Sequence, residues 1–260
     1  MPDCGGGLGR VTVRSRYNHV DLWPPLIPSR FLRSEPEEDR RDWFAKRSSG
    51  VCELYSYLLR KATAVPAHTG WIRIGAYDPA DPPAVRMPGD DVHGYFMEEP
   101  PPREGGDGFA KPLDPKILTL RPEQRPEAYL RWLQPGLVRL AQMRGVSPAG
   151  FEETFTACLA EGSLLRWEGP GRSSRDRRLR ATPLFWFDAE GDAWVRVVVR
   201  DRTGAVVAEG GPWDATPTLR EWRFAAKTLR WEDDSTVTIE AFFSLFAESW
   251  GMKGERRLRV

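Results

Sequence analysis

Leu184-Phe185-Trp186-Phe187, Asp188-Ala189-Glu190-Gly191-Asp192 and Ala193-Trp194-Val195-Arg196-Val197-Val198-Val199-Arg200 follow one another without interruption. The first run is short and apolar, and the polar segment after it carries a glycine suited to a hairpin loop. In the third, Val195, Val197 and Val199 alternate with Trp194, Arg196, Val198 and Arg200. That period of two turns one set toward a core and the other toward a wetter surface. Asp201-Arg202-Thr203-Gly204 then fits a type I turn ending in a left-handed glycine, after which Ala205 to Glu209 returns antiparallel. Leu219 to Glu232 and Thr236 to Ala241 read as two further strands around Asp233-Asp234-Ser235. Residues 178–244 therefore read as an antiparallel β-meander.

Working outward, Val146-Ser147-Pro148 supplies a staple residue, an N-cap and a proline at the first helical position. Phe151, Phe155, Cys158 and Leu159 form one helix face, and Gly162 ends it. Ser163 to Glu168 reads as a strand entering the meander, and Gly169 to Arg177 as a polar loop. Upstream, Leu130, Leu133, Leu137 and Leu140 recur at helical spacing after Pro126. Pro135-Gly136 interrupts that stripe, which predicts a kink or two short helices. Ser34 and Glu37 form a capping-box pattern opening a polar helix to about Arg47. Ser48-Ser49-Gly50 is expected to break it before a second helix carrying Val51, Leu54, Tyr55, Leu58 and Ala62.

Arg10 to Tyr17, Gly70 to Tyr77 and Val92 to Glu98 read as strands, with a proline-rich loop at residues 78–91 between the last two and a second irregular, proline- and glycine-rich segment at 99–115 after them. Phe242, Leu245, Phe246 and Ser249 suit either a helix stopped by Gly251 or an extended strand, and both readings stay open. Arg256, Arg257 and Arg259 make a basic tail. The expected fold class is α+β: a C-terminal antiparallel meander packed on a central helical pair, with an N-terminal strand and helix region. The division is into residues 1–120 and 121–260, or one continuous domain.

At 260 residues the chain can bury roughly 70–75% of its unfolded surface, enough for a core without staples. A hydrophobic share of 40% and a charged share of 29% exclude wholesale disorder. The net charge of +1 excludes a global attraction to nucleic acid or anionic membrane and leaves local patches to be read one by one. Arginine greatly outnumbers lysine and Asn18 is the sole asparagine, a bias that points to a GC-rich, bacterial genome and weakens any reading of arginine as functional. Cys4, Cys52 and Cys158 have neither disulfide-framework nor zinc-ligand spacing. No apolar run is long enough to span a membrane and Met1 to Arg10 lacks the apolar region of a secretory signal, so a cytoplasmic protein without membrane contact is expected.

Three groups of residues carry candidate chemistry. Asp90-Asp91-Val92-His93 is the densest set of acid, base or ligand side chains, placed where a long loop enters a strand. A hydrolase or transferase would use His93 as a base oriented by Asp90 or Asp91, with His68 joining if the two strands pair. Adjacent residues on an extended chain rarely aim at one point, and neither histidine supplies the His-x-Thr/Ser motif of two-histidine phosphodiesterases. The glycines at 5, 6, 7 and 9 lack the strand and helix that a phosphate loop needs, and no Gly-x-Ser-x-Gly, P-loop, His-Glu-x-x-His or Rossmann pattern occurs.

The second group is Arg172, Arg175, Arg177, Arg178 and Arg180 with Trp167 just before it, a composition suited to phosphate contacts and base stacking. The third is the set of eleven tryptophans, a residue favoured both as core plug and as interface anchor. No cofactor and no metal is expected. The leading expectation is a non-enzymatic protein that binds another protein, such as an inhibitor or immunity-type partner of a bacterial effector. A hydrolase or transferase at His93, and a nucleic-acid binder at the arginine cluster, are the alternatives.

Overall fold

The computed structural model describes residues 15–23, 37–67, 69–77, 92–96, 106–114, 116–241 and 254–260. Its N-terminal half is built on β1 (Ser15–Arg16), β2 (His19–Trp23), α1 (Glu37–Leu59), β3 (Pro66–Ala67), β4 (Trp71–Tyr77), β5 (Val92–Phe96) and β6 (Gly106–Pro112). The short strands β1 and β3 pair antiparallel. The other four form a sheet of order β2-β4-β6-β5 in which every pairing is parallel, so the stretch 99–115, expected to be an irregular loop, instead supplies an interior strand, β6, whose Phe109 and Ala110 are buried. A parallel pair needs a long crossover, and α1 supplies it between β2 and β4. Val20, Ile72, Ile74 and Phe109 are wholly buried beneath the helices.

The expected break at Ser48-Ser49-Gly50 does not occur, and α1 runs through it. The Ser48 and Ser49 hydroxyls donate back to the Phe44 and Ala45 carbonyls, 2.9 and 2.6 Å away, which satisfies them inside the helix. Gly50 serves close packing. A Cβ there would lie 2.8 Å from Leu164 Cδ2 and 2.9 Å from Phe187 Cβ.

After α2 (Lys116–Thr119) comes α3 (Arg125–Met143), one continuous helix with Pro135 inside it. Gly136 again marks a close approach, since its Cβ would come within 2.7 Å of the Phe109 ring. The next helix, α4 (Ala149–Ala160), buries Phe151 and Cys158 and is followed by Gly162 at φ +80°. Both α3 and α4 pack on α1.

The C-terminal half opens with β7 (Arg166–Glu168), β8 (Arg172–Ser173), β9 (Leu179–Phe187), β10 (Ala193–Asp201) and β11 (Val206–Asp214). They form an antiparallel sheet of order β11-β10-β9-β7, with β8 also on β9. The two hairpins fall where the polar segments place them, with Gly191 at φ +85° and Gly204 at φ +87°. Val195, Val197 and Val199 are buried as their alternation requires.

The stretch from Leu219 to Glu232 is not a strand. Leu219–Thr228 is a helix, α5, and only its tail enters β12 (Arg230–Asp233). Thr218 caps α5 by accepting the Glu221 amide at 3.2 Å, and Leu219, Trp222, Ala225 and Ala226 form its buried face. That helical spacing overrides the strand preference of the tryptophans. The basic tail is likewise ordered: β14 (Glu255–Arg259) pairs with β13 (Thr236–Glu240), which pairs with β12. Residues 242–250 lie outside the described residues. The inward face of the meander is covered by α5, whose Trp222 ring stacks 5.4 Å from Phe185 and lies 5.0 Å from Phe187, and by α1 at Gly50. The fold is α+β with a C-terminal antiparallel meander, and its buried side chains form one contiguous cluster from Tyr17 to Leu258.

Candidate functional site

Strand alternation sends Trp186, Leu184 and Arg180 of β9 to the face of the sheet opposite the core, and register sets Trp194, Arg196 and Arg200 of β10 directly beside them. Arg166 and Glu168 of β7 join the same face opposite Trp186 and Leu184. Trp186 and Trp194 are therefore cross-strand neighbours. Each is held: the Trp194 indole donates to Asp188 Oδ2 at 2.8 Å, and the Arg196 guanidinium lies 5.7 Å from the Trp186 ring centre. Arg196 also pairs with Glu209 at 3.2 Å. A concavity of about 590 Å³ opens here, lined among others by Arg166, Glu168, Leu184, Trp186 and Arg196. Rigid aromatic surface flanked by both signs of charge is the composition of an interface core.

At one end of this sheet lies the arginine cluster. Arg175, Arg177 and Arg178 occupy the turn between β8 and β9, and Arg180 stands opposite Arg200. Arg202, on the neighbouring hairpin, donates to the Arg177 and Asp176 carbonyls at 3.2 and 3.4 Å. The Arg178 amide and the Ser174 hydroxyl hold the Asp176 carboxyl below its ordinary range, and Arg178 pairs with it at 3.3 Å. Trp167 and Arg172 do not share this face. Their register partners are Phe185 and Ala181, both on the core side, and the Trp167 ring rests 5.7 Å from Phe185. Arg196, Arg200 and Arg202 are scattered in the sequence, and the sheet brings them to the same face and end as the cluster.

Asp90, Asp91 and His68 lie outside the described residues, as does the His93 side chain. The backbone does settle one point: β6 lies between β4 and β5, so the strand after His68 and the strand bearing His93 do not pair. His93 is the register partner of Asp107, a wholly buried carboxylate. Arg144 Nε donates to Asp107 at 2.9 Å, and the Tyr17 hydroxyl donates to its other oxygen. With both oxygens engaged, Asp107 ties β6 to the end of α3. Cys52 and Cys158 are free and buried; burial pushes the Cys158 thiol up to about 12 and the Cys52 thiol higher still, which leaves neither a nucleophile near neutral pH. Among the described residues no three His, Cys, Asp or Glu side chains gather as a metal-binding group, and no helix is long and apolar enough to cross a membrane.

No family model matches this chain, and neither does any curated protein or solved structure.

Proposed function

We propose that the protein works by binding another protein through the outward face of β7, β9 and β10, as an inhibitor or immunity-type partner of a bacterial effector does. The observation that carries this reading is the fixed tryptophan pair, Trp186 beside Trp194, bordered by Arg166, Arg196, Glu168 and Glu209. Tryptophan and arginine are enriched in binding hot spots, tryptophan because it buries much area for little lost freedom, and side chains already held in place lose least on association. The near-balanced charge around the pair selects a partner surface that is apolar at its centre and mixed in charge at its rim. Capture with crosslinking tests the reading. Trp186→Ala and Trp194→Ala leave the core face untouched and are expected to weaken partner binding by about 30-fold or more each. Undiminished capture by both variants would remove this face as the interface.

A second reading rests on a separate observation, the addition of Arg200 and Arg202 to Arg175, Arg177, Arg178 and Arg180 at the end of the same face. Cationic side chains running toward an aromatic pair on a sheet suit a single-stranded nucleic acid. Charge reversal at Arg175, Arg177 and Arg178 then abolishes salt-sensitive RNA or DNA binding. Under the protein reading the same reversal leaves partner capture within a few-fold of wild type.

A further inference from the structure

On the far side of α5 from the meander is a cleft of about 640 Å³, walled by α5, the end of α1 and the first residues of β2 and β4. Arg16, Arg60, Arg220, Arg223 and Lys227 line it. Arginines elsewhere are often paired with carboxylates, yet none of these five cations forms an ion pair with any carboxylate of the described residues. The one carboxylate in the wall, Glu53, is turned to the first amide of α5, accepting from Leu219 N–H at 3.3 Å.

Two of the guanidinium groups are aimed by backbone. Arg60 Nε donates to the Asn18 carbonyl at 3.0 Å, and Arg16 donates to the Arg60 carbonyl at 3.2 Å. Burial lowers the Arg60 pKa, the Glu53 charge opposes that, and the like charge of Arg223 lowers it further. An anion placed between Arg60 and Arg223 relieves that repulsion, and a dianion relieves it more than a monoanion. Guanidinium forks match phosphate oxygens in pairs.

The cleft also has aromatic walls. Trp71 and Phe224, 49% and 39% exposed, are the only exposed large aromatic side chains among the described residues, and both lie here. The His19 ring sits 5.0 Å from Trp71 and is itself held by Asp21 at 2.9 Å. Exposed aromatic rings beside arginines that lack a contact ion pair favour a planar ring carrying a phosphate over a bare anion. The volume is that of a small-ligand site.

We propose that this cleft binds a nucleoside monophosphate, with the base against Trp71 and the phosphate between Arg60 and Arg223. The ligand is either a free nucleotide or the 5′-phosphorylated end of a strand, which present the same chemistry. The site is separate from the outward face of the meander and stands or falls independently of it.

Isothermal titration of the full chain with AMP, adenosine, inorganic phosphate and a 5′-phosphorylated dinucleotide is the test. AMP is expected to bind at least tenfold more tightly than adenosine and inorganic phosphate. Trp71→Ala brings AMP down to the level of inorganic phosphate, and Arg60→Gln and Arg223→Gln each weaken AMP at least tenfold. Arg223 is exposed, so its variant reports on binding even if Arg60→Gln disturbs the fold. A dinucleotide that binds more tightly than AMP assigns the strand end, and one that does not assigns the free nucleotide. Adenosine or inorganic phosphate binding as well as AMP, no binding of AMP, or AMP affinity unchanged in Arg223→Gln would overturn the proposal.

Discussion

Gly50 of α1 and Phe187 of β9 approach so closely that a Cβ on Gly50 would sit 2.9 Å from the Cβ of Phe187. Helix propensity alone favours alanine over glycine at such a position by roughly 1 kcal/mol. The contact reverses the sign, because the atom it would strike is anchored to the sheet backbone and cannot swing away. Gly50→Ala is expected to lose about 1–3 kcal/mol, read as a lower denaturant midpoint at unchanged slope. A stabilised variant would mean that the helix and sheet are not in contact there.

Trp222 joins α5 to the meander. It is fully buried, lies against Phe185 and Phe187, and donates its indole N–H to the Thr216 carbonyl at 2.6 Å. Trp222→Ala should cost about 3–5 kcal/mol. Trp222→Phe keeps most of the stacking and removes one of the donors to that carbonyl, which still accepts from the Thr218 amide at 2.9 Å, costing about 0.5–1.5 kcal/mol. Thermal unfolding of the two variants should rank them in that order; equal midpoints would contradict the packing.

The start of α5 rests on its cap. Thr218→Ala removes the acceptor for the Glu221 amide and is expected to cost about 1 kcal/mol, while Thr218→Ser restores it. Equal stability of the three proteins in urea titrations would count against the cap.

Burial raises the Glu53 carboxyl above its ordinary pKa, an effect that the Leu219 amide, His19 and Arg60 only partly oppose. The folded chain therefore takes up this proton at higher pH than the unfolded chain. The associated stability is fully present below the ordinary glutamate range and is lost as pH rises through the raised value. Glu53→Gln keeps an acceptor for Leu219 and removes the buried charge. It should be more stable than wild type at pH 7.5, with the advantage shrinking as the pH is lowered through the raised value and levelling off below about 4.3, the unperturbed glutamate value. A pH-independent difference in unfolding midpoints would rule this out.

The meander is legible because an apolar run in β9 and a period-two alternation in β10 are each closed by a polar loop, signals that act over a few residues. Gly50 and α5 depart from the sequence expectation for opposite reasons. A glycine after two serines usually breaks a helix, and only the neighbouring Leu164 and Phe187 explain why this one does not. In α5 the local signal is present, in the Thr218 cap and the three- and four-residue spacing of Leu219, Trp222, Ala225 and Ala226, but it competes with the strand preference of the aromatic residues. The parallel order β2-β4-β6-β5 has no local signal, since strand order depends on contacts between distant segments.

The proposed binding face is half legible. Trp194 stands at a position whose alternation marks it as outward-facing, and the arginine run with Arg180 is plain in the sequence, whereas Trp186 reads only as part of an apolar run and its facing follows from the register. That Trp167 faces the core while Arg202 reaches back to Arg177 follows from register and turn geometry. The cleft was invisible, because His19, Arg60, Trp71 and Arg223 are brought together only by the packing of α5 beside the parallel sheet.

The central claim is that the outward face of β7, β9 and β10 meets the partner. A photoreactive phenylalanine analogue at Leu184, between the tryptophan pair and the arginines, tests it most directly when compared with the same group at the exposed Glu161, beyond the end of α4. Crosslinking of one protein from position 184, absent from position 161 and lost in Trp186→Ala, is the expected result. Crosslinking of that protein from position 161 alone would contradict it.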